Sequence, residues 1–225
     1  MNTANPHTDR SAPLLSLDGI GKRFGGTIAL SNIHWSIQPG ELHCLVGENG
    51  SGKSTLIKIL AGVHTPDTGG TITFDGVRHT RLTPQEAKAL GIQVIFQDLS
   101  LFPNLTVLEN IAIDLELDSP LRLPPRRAMR DAAKEALASL DADLPLDVRV
   151  GSLSVAQRQL VAICRGLATN ARILFMDEPT ASLTRHEVEL LLSTVRRLKE
   201  MGVAVVFVSH RLEEVVEVAD HVTVL

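Results

Sequence analysis

Apolar and polar residues alternate near the start of the chain, and continuous apolar runs follow further on. The alternation over 14–24 and 31–37 predicts two β-strands that pair as an antiparallel layer. Four apolar runs predict strands of the kind buried inside a parallel sheet, and they lie at 41–46, 92–96, 172–178 and 203–208. Residues 71–77, with an Asp-Gly turn, predict a hairpin.

Helical periodicity separates these runs. The predicted helices lie at 55–61, at 84–90, throughout 106–168 and from 185 to about 199. Capping boxes are expected at Ser154 with Gln157 and at Thr184 with Glu187. The alternation of strands and helices predicts an α/β fold: a mainly parallel sheet, an N-terminal antiparallel β layer and a helical subdomain inserted at about 104–168.

Composition and charge limit the class of protein. The 225 residues are 44% hydrophobic with a net charge of −4, so a core can form and no overall basic charge favours nucleic acid. Residues 1–13 are polar, and we expect a disordered tail there, followed by one domain over 14–225. The run at 222–225 begins another predicted strand where the sequence stops, which suggests a piece of a longer protein.

One glycine-rich stretch carries the strongest chemical signal. It lies between a predicted strand and a predicted helix and reads Gly47, Glu48, Asn49, Gly50, Ser51, Gly52, Lys53, Ser54, Thr55. This is the phosphate-loop pattern, in which backbone N–H groups and a helix N-terminus surround a phosphate. We expect Lys53 to reach the β- and γ-phosphates of a nucleotide and the Ser54 hydroxyl to bind Mg²⁺.

Polar residues follow three of the predicted parallel strands, where α/β sheets place their ligands. Asp177 and Glu178 end the run at 172–178, and we interpret them as the Mg²⁺-side acid and the base for an attacking water. Gln97 follows a strand that we expect to be central, and His210 follows the run at 203–208. Taken singly, an ordinary loop glutamine and an ordinary histidine are the commoner interpretations; the repeated strand-end position favours ligand contact.

An aromatic residue ends the first predicted strand. Phe24 lies in the sequence Lys-Arg-Phe-Gly-Gly. An exposed ring there suits stacking on a nucleotide base, and a buried ring suits turn packing. The residues leave both interpretations open.

These motifs, in their order, resemble the ATP-binding subunits of ABC transporters over nearly the whole chain. The matching positions are the base-stacking aromatic at Phe24, the Walker A loop at 47–55, the Q-loop at Gln97, the signature at 153–157, Walker B with the D-loop at 173–183, and the switch histidine at His210. The resemblance implies a P-loop NTPase core in which two such domains sandwich ATP. It implies Mg²⁺ binding by Ser54, Gln97 and Asp177, catalysis by Glu178, Gln97 and His210, and contact of Ser154 and Gln157 with the partner's nucleotide.

The detailed sequence of these motifs is similar to that of the first half of tandem ATPases that import ribose, galactose and related monosaccharides. That resemblance implies a second ATPase domain on the same chain, a transmembrane permease, a periplasmic or extracellular solute-binding protein reached indirectly, and no nucleic acid. It implies a peripheral position on the cytoplasmic face of the inner membrane. Val155 and Ala156 replace the signature glycines and Thr184 replaces the D-loop aspartate, which suggests two unequal nucleotide sites.

Two other classes compete with this interpretation. Soluble ABC-type ATPases of nucleic acid or ribosomes usually carry coiled-coil, basic or ribosome-binding insertions, and this sequence has none. The Glu178 base, the signature helix and His210 argue against a phosphate-loop kinase or GTPase. A GTPase should also carry Asn-Lys-x-Asp, which does not occur here.

Overall fold

The structure is a computed structural model that describes residues 12–117, 125–209 and 219–225. Two β-sheets and a set of helices make up these parts of the chain. Most of residues 1–13, for which the sequence predicts a disordered tail, and His210 lie outside the described residues.

The N-terminal half forms the antiparallel sheet that the alternating pattern predicts. Its strands are β1 Leu15–Phe24, β2 Thr27–Ile37, β4 Thr71–Phe74 and β5 Val77–His79, in the order β2-β1-β4-β5. Between β4 and β5, Asp75 and Gly76 have φ of 50° and 77°. Positive φ at both central residues is the requirement of a two-residue hairpin turn, and it explains the Asp-Gly pair.

A second sheet of five strands is parallel throughout. Its strands are β3 Leu42–Val46, β6 Ile92–Ile95, β7 Ile173–Asp177, β8 Ala204–Ser209 and β9 His221–Val224, in the order β6-β7-β8-β3-β9. The inner strands are buried almost completely, as their unbroken apolar runs require.

The position of β6 corrects one expectation. Gln97 was expected to follow a central strand, but β6 pairs only with β7 among the described strands and forms an edge of the sheet. Gln93 and Val94 in β6 are accordingly only half-buried. The run at 92–96 is as apolar as that of an inner strand because helical residues of 155–168 pack against part of this edge.

Six helices complete the described chain. They are α1 Lys53–Leu60, α2 Pro84–Ala89, α3 Val107–Leu117, α4 Arg126–Ser139, α5 Val155–Ala168 and α6 Arg185–Glu200. Both predicted capping boxes are confirmed, at Ser154 with Gln157 and at Thr184 with Glu187. A third box, Thr83 with Glu86, opens α2 just before Pro84.

Helices α3, α4 and α5 pack against one another. The prediction of helical structure throughout 106–168 is too broad, because most of 140–154 is turn and loop with one short 3-10 helix at Val150–Ser152. Pro145 and Gly151 lie in this stretch, and neither residue favours a helix interior. No helix among the described residues is long and apolar enough to cross a membrane.

The parallel sheet separates two apolar clusters. Leu45, Phe175 and Val206 face the antiparallel sheet, and their strand neighbours Leu174 and Phe207 face the helices. Successive residues of a strand point to opposite faces, so each buried strand contributes to both clusters. The carboxyl ends of β3, β6, β7 and β8 are thereby fixed in one row, above which the phosphate-loop residues lie.

Candidate functional site

The phosphate loop connects β3 to α1 and packs directly against the antiparallel sheet. Gly52 is the residue before α1 and has φ of 102°. A Cβ built on Gly52 would lie 2.4 Å from the carbonyl oxygen of Ala29 and 2.6 Å from a methyl of Leu30. Glycine is therefore required here by its conformation and by the close approach of β2.

The side chain of Lys53 lies inside the phosphate loop. It is buried, and its Nζ donates to the carbonyl oxygens of Gly47 at 2.6 Å and Glu48 at 2.8 Å. The Oγ of Ser51 is buried nearby and has no hydrogen-bond partner among the residues that the structure describes. A lysine cation held in a loop of backbone donors, together with an unpartnered hydroxyl, fits a multiply charged anion such as a nucleotide triphosphate.

The start of α1 keeps its backbone donors available. Gly52 supplies no side-chain cap, and the first turn of the helix has no acidic residue. The first N–H groups of a helix have no partner within the helix, and the helix dipole favours negative charge there. Glu48, Asn49 and Gly50 lie exposed at the rim of the loop, so a ligand can approach these donors from solvent.

The three residues expected to bind Mg²⁺ share one open cavity. Ser54, Gln97 and Asp177 all line a cleft of about 620 Å³, with Lys58 and Ser182 beside them. A hydroxyl, an amide and a carboxylate are oxygen donors of the kind that Mg²⁺ prefers. The residues present therefore fit this ion, although they are separated in sequence by up to 123 positions, from Ser54 to Asp177.

The carboxyl of Asp177 is costly to ionise in this position. Burial raises the pKa of Asp177 and the nearby charge of Glu178 raises it further, while Lys53 and Lys58 oppose the rise without cancelling it. A divalent cation next to the carboxylate would offset both causes, because opposite charge favours the ionised form.

Glu178 has an unusual backbone conformation. Its φ is 48°, in the left-handed region, and its N–H donates to the carbonyl oxygen of Val208 at 2.8 Å. A non-glycine residue in this region costs about 1–2 kcal/mol, and such strain concentrates at functional sites. The turn leaves Glu178 lining a small cavity together with Gln97 and Asp177.

Phe24 lies outside the core. Its side chain is 45% exposed at the end of β1, and its ring meets the ring of His64 edge-on, with centroids 5.2 Å apart. The Nζ of Lys22 lies 5.3 Å from the Phe24 ring centroid. This exposure argues against a position in the core, while stacking on a nucleotide base stays a prediction. The β1–β2 hairpin that carries the ring also contacts the phosphate loop through Ala29 and Leu30, so Phe24 is on the element next to that loop.

Ser154 and Gln157 lie exposed at the start of α5 and are not among the residues lining the cleft of Ser54 and Asp177. The N–H of Gln157 donates to Ser154 Oγ at 3.2 Å, and the N–H of Ser154 donates to Gln157 Oε1 at 3.0 Å. Val155, between them, lines the small cavity beside Glu178. Ser154 and Gln157 therefore do not line the cleft of Ser54, whereas Val155 borders the cavity of Glu178.

Sequence reasoning missed Lys58 and Ser182, which line the same cleft. Lys58 was detectable, because it lies four residues after Ser54 and side chains at this spacing share one helix face. Ser182 follows the Asp177-Glu178 pair in a turn, and no local pattern distinguishes it from an ordinary loop serine.

A separate buried network lies at the N-terminal end of β3, opposite the end that leads into the phosphate loop. Glu41 Oε1 accepts from His43 Nδ1 at 2.6 Å, and Glu41 Oε2 accepts the N–H of Gln38 at 2.6 Å. The indole N–H of Trp35 donates to His43 Nε2 at 3.0 Å. An indole can only donate, so Nε2 carries no proton and the His43 proton lies on Nδ1. This network joins β2 to the strand that leads into the phosphate loop.

Comparison with known proteins gives a family match. The model of the ABC transporter family matches residues 30–181. A curated protein of Rubrobacter xylanophilus named ribose import ATP-binding protein RbsA 1 is 50% identical over 95% of this chain. A curated Agrobacterium fabrum protein, named putative ribose/galactose/methyl galactoside import ATP-binding protein 1, is 46% identical over 94% of this chain. The chain spans 42% of the length of each relative.

Solved structures give the same fold. The ADP conformation of an ATP-binding cassette of an ABC transporter superposes with a TM-score of 0.84 at 32% identity, covering 96% of this chain and 88% of that one. A dimeric ATP-binding cassette in a post-hydrolysis state, bound to ADP and phosphate, superposes with a TM-score of 0.76 at 29% identity and covers 94% of both chains.

Proposed function

The chain belongs to the ABC transporter family, and on this premise we propose that it binds and hydrolyses ATP to power import of a monosaccharide or related small polar solute. The phosphate loop and its neighbouring cleft support the ATPase assignment. The names of the relatives, which are ribose and sugar import ATP-binding proteins, support the solute class. They do not favour the alternative of a soluble ATPase acting on nucleic acid or ribosomes.

The single observation that carries the ATPase proposal is the arrangement of Lys53 with Ser54 and Asp177. Residues 47–55 would supply the backbone donors, the lysine and the hydroxyl for the phosphates, and Phe24 is proposed to stack on the base. Ser54, Gln97 and Asp177 would hold Mg²⁺, which neutralises charge on the phosphate oxygens.

Glu178 is the proposed base for hydrolysis. Water attacks the γ-phosphorus, its proton passes to the Glu178 carboxylate, and the bond to the β-phosphate oxygen breaks to leave ADP and inorganic phosphate. Gln97 lines the same small cavity as Glu178 and would orient the attacking water. His210 is proposed, from the family resemblance, to contact the γ-phosphate.

A second ATPase domain is the proposed partner, on the same full-length chain. Ser154 and Gln157 are exposed and do not line the cleft of Ser54 and Asp177, which suits contact with the partner's nucleotide. Permease subunits in the membrane would be driven by closure of the pair, and a periplasmic or extracellular solute-binding protein would deliver the solute. The domain would then work on the cytoplasmic face of the inner membrane. ATP favours the closed pair only as far as it binds that state better than the open one.

The experiment compares Glu178→Gln with the wild-type domain in the full-length transporter. We expect unchanged Mg-ATP binding and loss of phosphate release, because the variant keeps the shape of the side chain and loses the base. Glu200→Gln, an exposed change at the end of α6, is the matched control and should turn over normally. Normal turnover by Glu178→Gln would show that the assigned base is wrong.

A further inference from the structure

The ring of Phe24 is held by side chains outside the turn that follows it. We propose that His64 and Lys22 are positioning residues that fix this ring for a nucleotide base, a role that rests on the proposed function. Neither residue lines the cleft of Ser54 and Asp177. Their effect on a bound nucleotide would therefore pass through Phe24 and reach the base, not the phosphates.

The turn after Phe24 does not fix the ring by itself. Gly25 and Gly26 form this turn between β1 and β2. A Cβ built on either glycine would meet no heavy atom within 4 Å, so the turn projects into open space. Glycine also leaves the backbone more conformations than any other residue. An exposed ring beside such a turn needs contacts from elsewhere to keep one position.

Two side chains supply these contacts. The rings of His64 and Phe24 meet edge to face, with their centroids 5.2 Å apart and their planes at 69°. The Nζ of Lys22 lies over the Phe24 ring, 5.3 Å from its centroid. Both arrangements are attractive, because an aromatic ring is negative on its face and positive at its edge. The ring still keeps surface exposed to solvent, on which a base can stack.

The segment 63–67, which carries His64, is anchored to two elements of the fold. The N–H of His64 donates to the carbonyl oxygen of Lys58, in the last turn of α1, at 3.0 Å. The N–H of Asp67 donates to the carbonyl oxygen of Gly21, in β1, at 2.8 Å. The backbone on both sides of the histidine ring is thereby fixed relative to the strand that ends in Phe24.

Lys22 connects the strand to this segment. Its Nζ donates to the carbonyl oxygen of Thr65 at 2.7 Å and lies 3.9 Å from Asp67 Oδ1. The side chain of Lys22 is 18% exposed. The attraction of an ammonium to an aromatic ring is stronger when the cation is partly removed from water. One ammonium thus contacts both the Phe24 ring and the segment that carries His64.

A ring fixed in advance should bind a base more tightly. Side chains that lose rotamer freedom on binding lower the affinity, and a ring already held in place loses less. Helix α1 begins at Lys53 in the phosphate loop and ends beside the segment 63–67, and its eight residues span about 12 Å. The two ends of a nucleotide would therefore be recognised at the two ends of one helix. Loss of His64 or of the Lys22 ammonium should weaken recognition of the base alone.

The test is isothermal titration calorimetry of this chain with Mg-ATP and with Mg-tripolyphosphate, which has three phosphates and no base or ribose. Phe24→Ala is the reference for lost stacking and should lower Mg-ATP affinity about tenfold. His64→Ala and Lys22→Met should each lower it about threefold. All three variants should bind tripolyphosphate as wild type does. His34→Ala, which removes an exposed histidine of β2, is the matched control and should leave both affinities unchanged.

A conservative variant separates the ring contact from a direct hydrogen bond to the base. His64→Phe keeps an aromatic ring against Phe24 and has no ring nitrogen, so it should bind Mg-ATP as wild type does. If His64→Phe loses as much Mg-ATP affinity as His64→Ala, the positioning role is overturned.

The remaining outcomes separate this role from the proposed function. If Phe24→Ala lowers Mg-ATP affinity while His64→Ala and Lys22→Met do not, the positioning role is overturned and base stacking stands. Equal losses for Mg-ATP and tripolyphosphate in the two variants would indicate a general structural effect and overturn it as well. Unchanged Mg-ATP affinity in Phe24→Ala would contradict base stacking, and the positioning role with it. A wild-type chain that binds neither probe would overturn the proposed function itself.

Discussion

The ammonium of Lys53 donates a hydrogen bond of 2.6 Å to the carbonyl oxygen of Gly47, six residues earlier. A second bond of 2.8 Å reaches the carbonyl oxygen of Glu48. These two bonds tie the first residues of the phosphate loop to the start of α1. Contacts of this kind limit the conformations of the loop, so less of the binding free energy is spent on ordering it.

Lys53→Ala should weaken Mg-ATP binding by about 100-fold, since hydrogen bonds to a charged group contribute roughly 1.5–3 kcal/mol and 1.4 kcal/mol is a factor of ten. Isothermal titration calorimetry with Mg-ATP measures this change. Lys134→Ala, an exposed change on α4, is the control and should leave the affinity unchanged. An unaltered dissociation constant for Lys53→Ala would contradict the role given to the lysine.

Ser154→Arg should leave most ATPase activity in the full-length transporter, whereas the equivalent change in the partner's signature should remove it. The reason is that Val155 puts a β-branched side chain where glycine allows backbone N–H groups to approach a phosphate. Phosphate release by the two variants distinguishes the sites. Complete loss of turnover in Ser154→Arg would mean that the Val155-Ala156 signature supports hydrolysis.

Glu41→Gln should reduce the acid dependence of stability. Burial alone would raise the pKa of Glu41, but its hydrogen bonds with His43 and with the N–H of Gln38 lower it below 4.5. A lowered folded-state pKa stabilises the protein above the unfolded pKa, and this stability is lost as the pH falls through the folded value.

Urea unfolding from neutral pH down to acid pH measures the effect. We expect Glu41→Gln to be less stable than wild type at pH 7, by about 1–3 kcal/mol for the lost charged hydrogen bonds. The difference between the two proteins should shrink below pH 4.5. Glu135→Gln, exposed on α4, is the control. A difference that stays constant with pH would rule out the carboxylate as its source.

Both cysteines should be unreactive in the folded chain. Burial raises the pKa of the Cys44 and Cys164 thiols to about 12 each. At pH 8 such a thiol is about 0.01% thiolate, which is the reactive form. Mass spectrometry after maleimide treatment should find no label until denaturant is added, while Ser152→Cys, at an exposed position, should react at once. Labelling of the folded wild type faster than it unfolds would disprove this.

The features predicted correctly are those whose cause is local. The phosphate loop, the Asp-Gly hairpin and the capping boxes at Ser154 and Thr184 depend on residues within a few positions of one another, so the sequence displays them directly. Gln97 and Asp177 line one cleft, because the strand ends of a parallel sheet meet at one edge, and their binding of Mg²⁺ stays a prediction.

The features that could not be predicted depend on distant partners. Arg165 binds a carbonyl 65 positions away, and His43 lies 2.8 Å from the Thr223 hydroxyl, 180 positions away. The edge position of β6 follows from strand order, which an apolar run does not encode. Exposure of Phe24 likewise depends on the hairpin's position beside other elements.

The approach of Gly52 to Ala29 and Leu30 limits how this protein can vary. Because a Cβ at position 52 would collide with the β2 backbone, the hairpin and the phosphate loop form a single steric unit, although 22 positions separate Gly52 from Leu30. An insertion that shifts β2 by one residue would alter the support of the phosphate loop without touching any residue that meets the nucleotide. When this hairpin is exchanged for that of a relative, the fit at positions 29 and 30 should therefore decide whether the exchange is tolerated, rather than the overall sequence identity of the two hairpins.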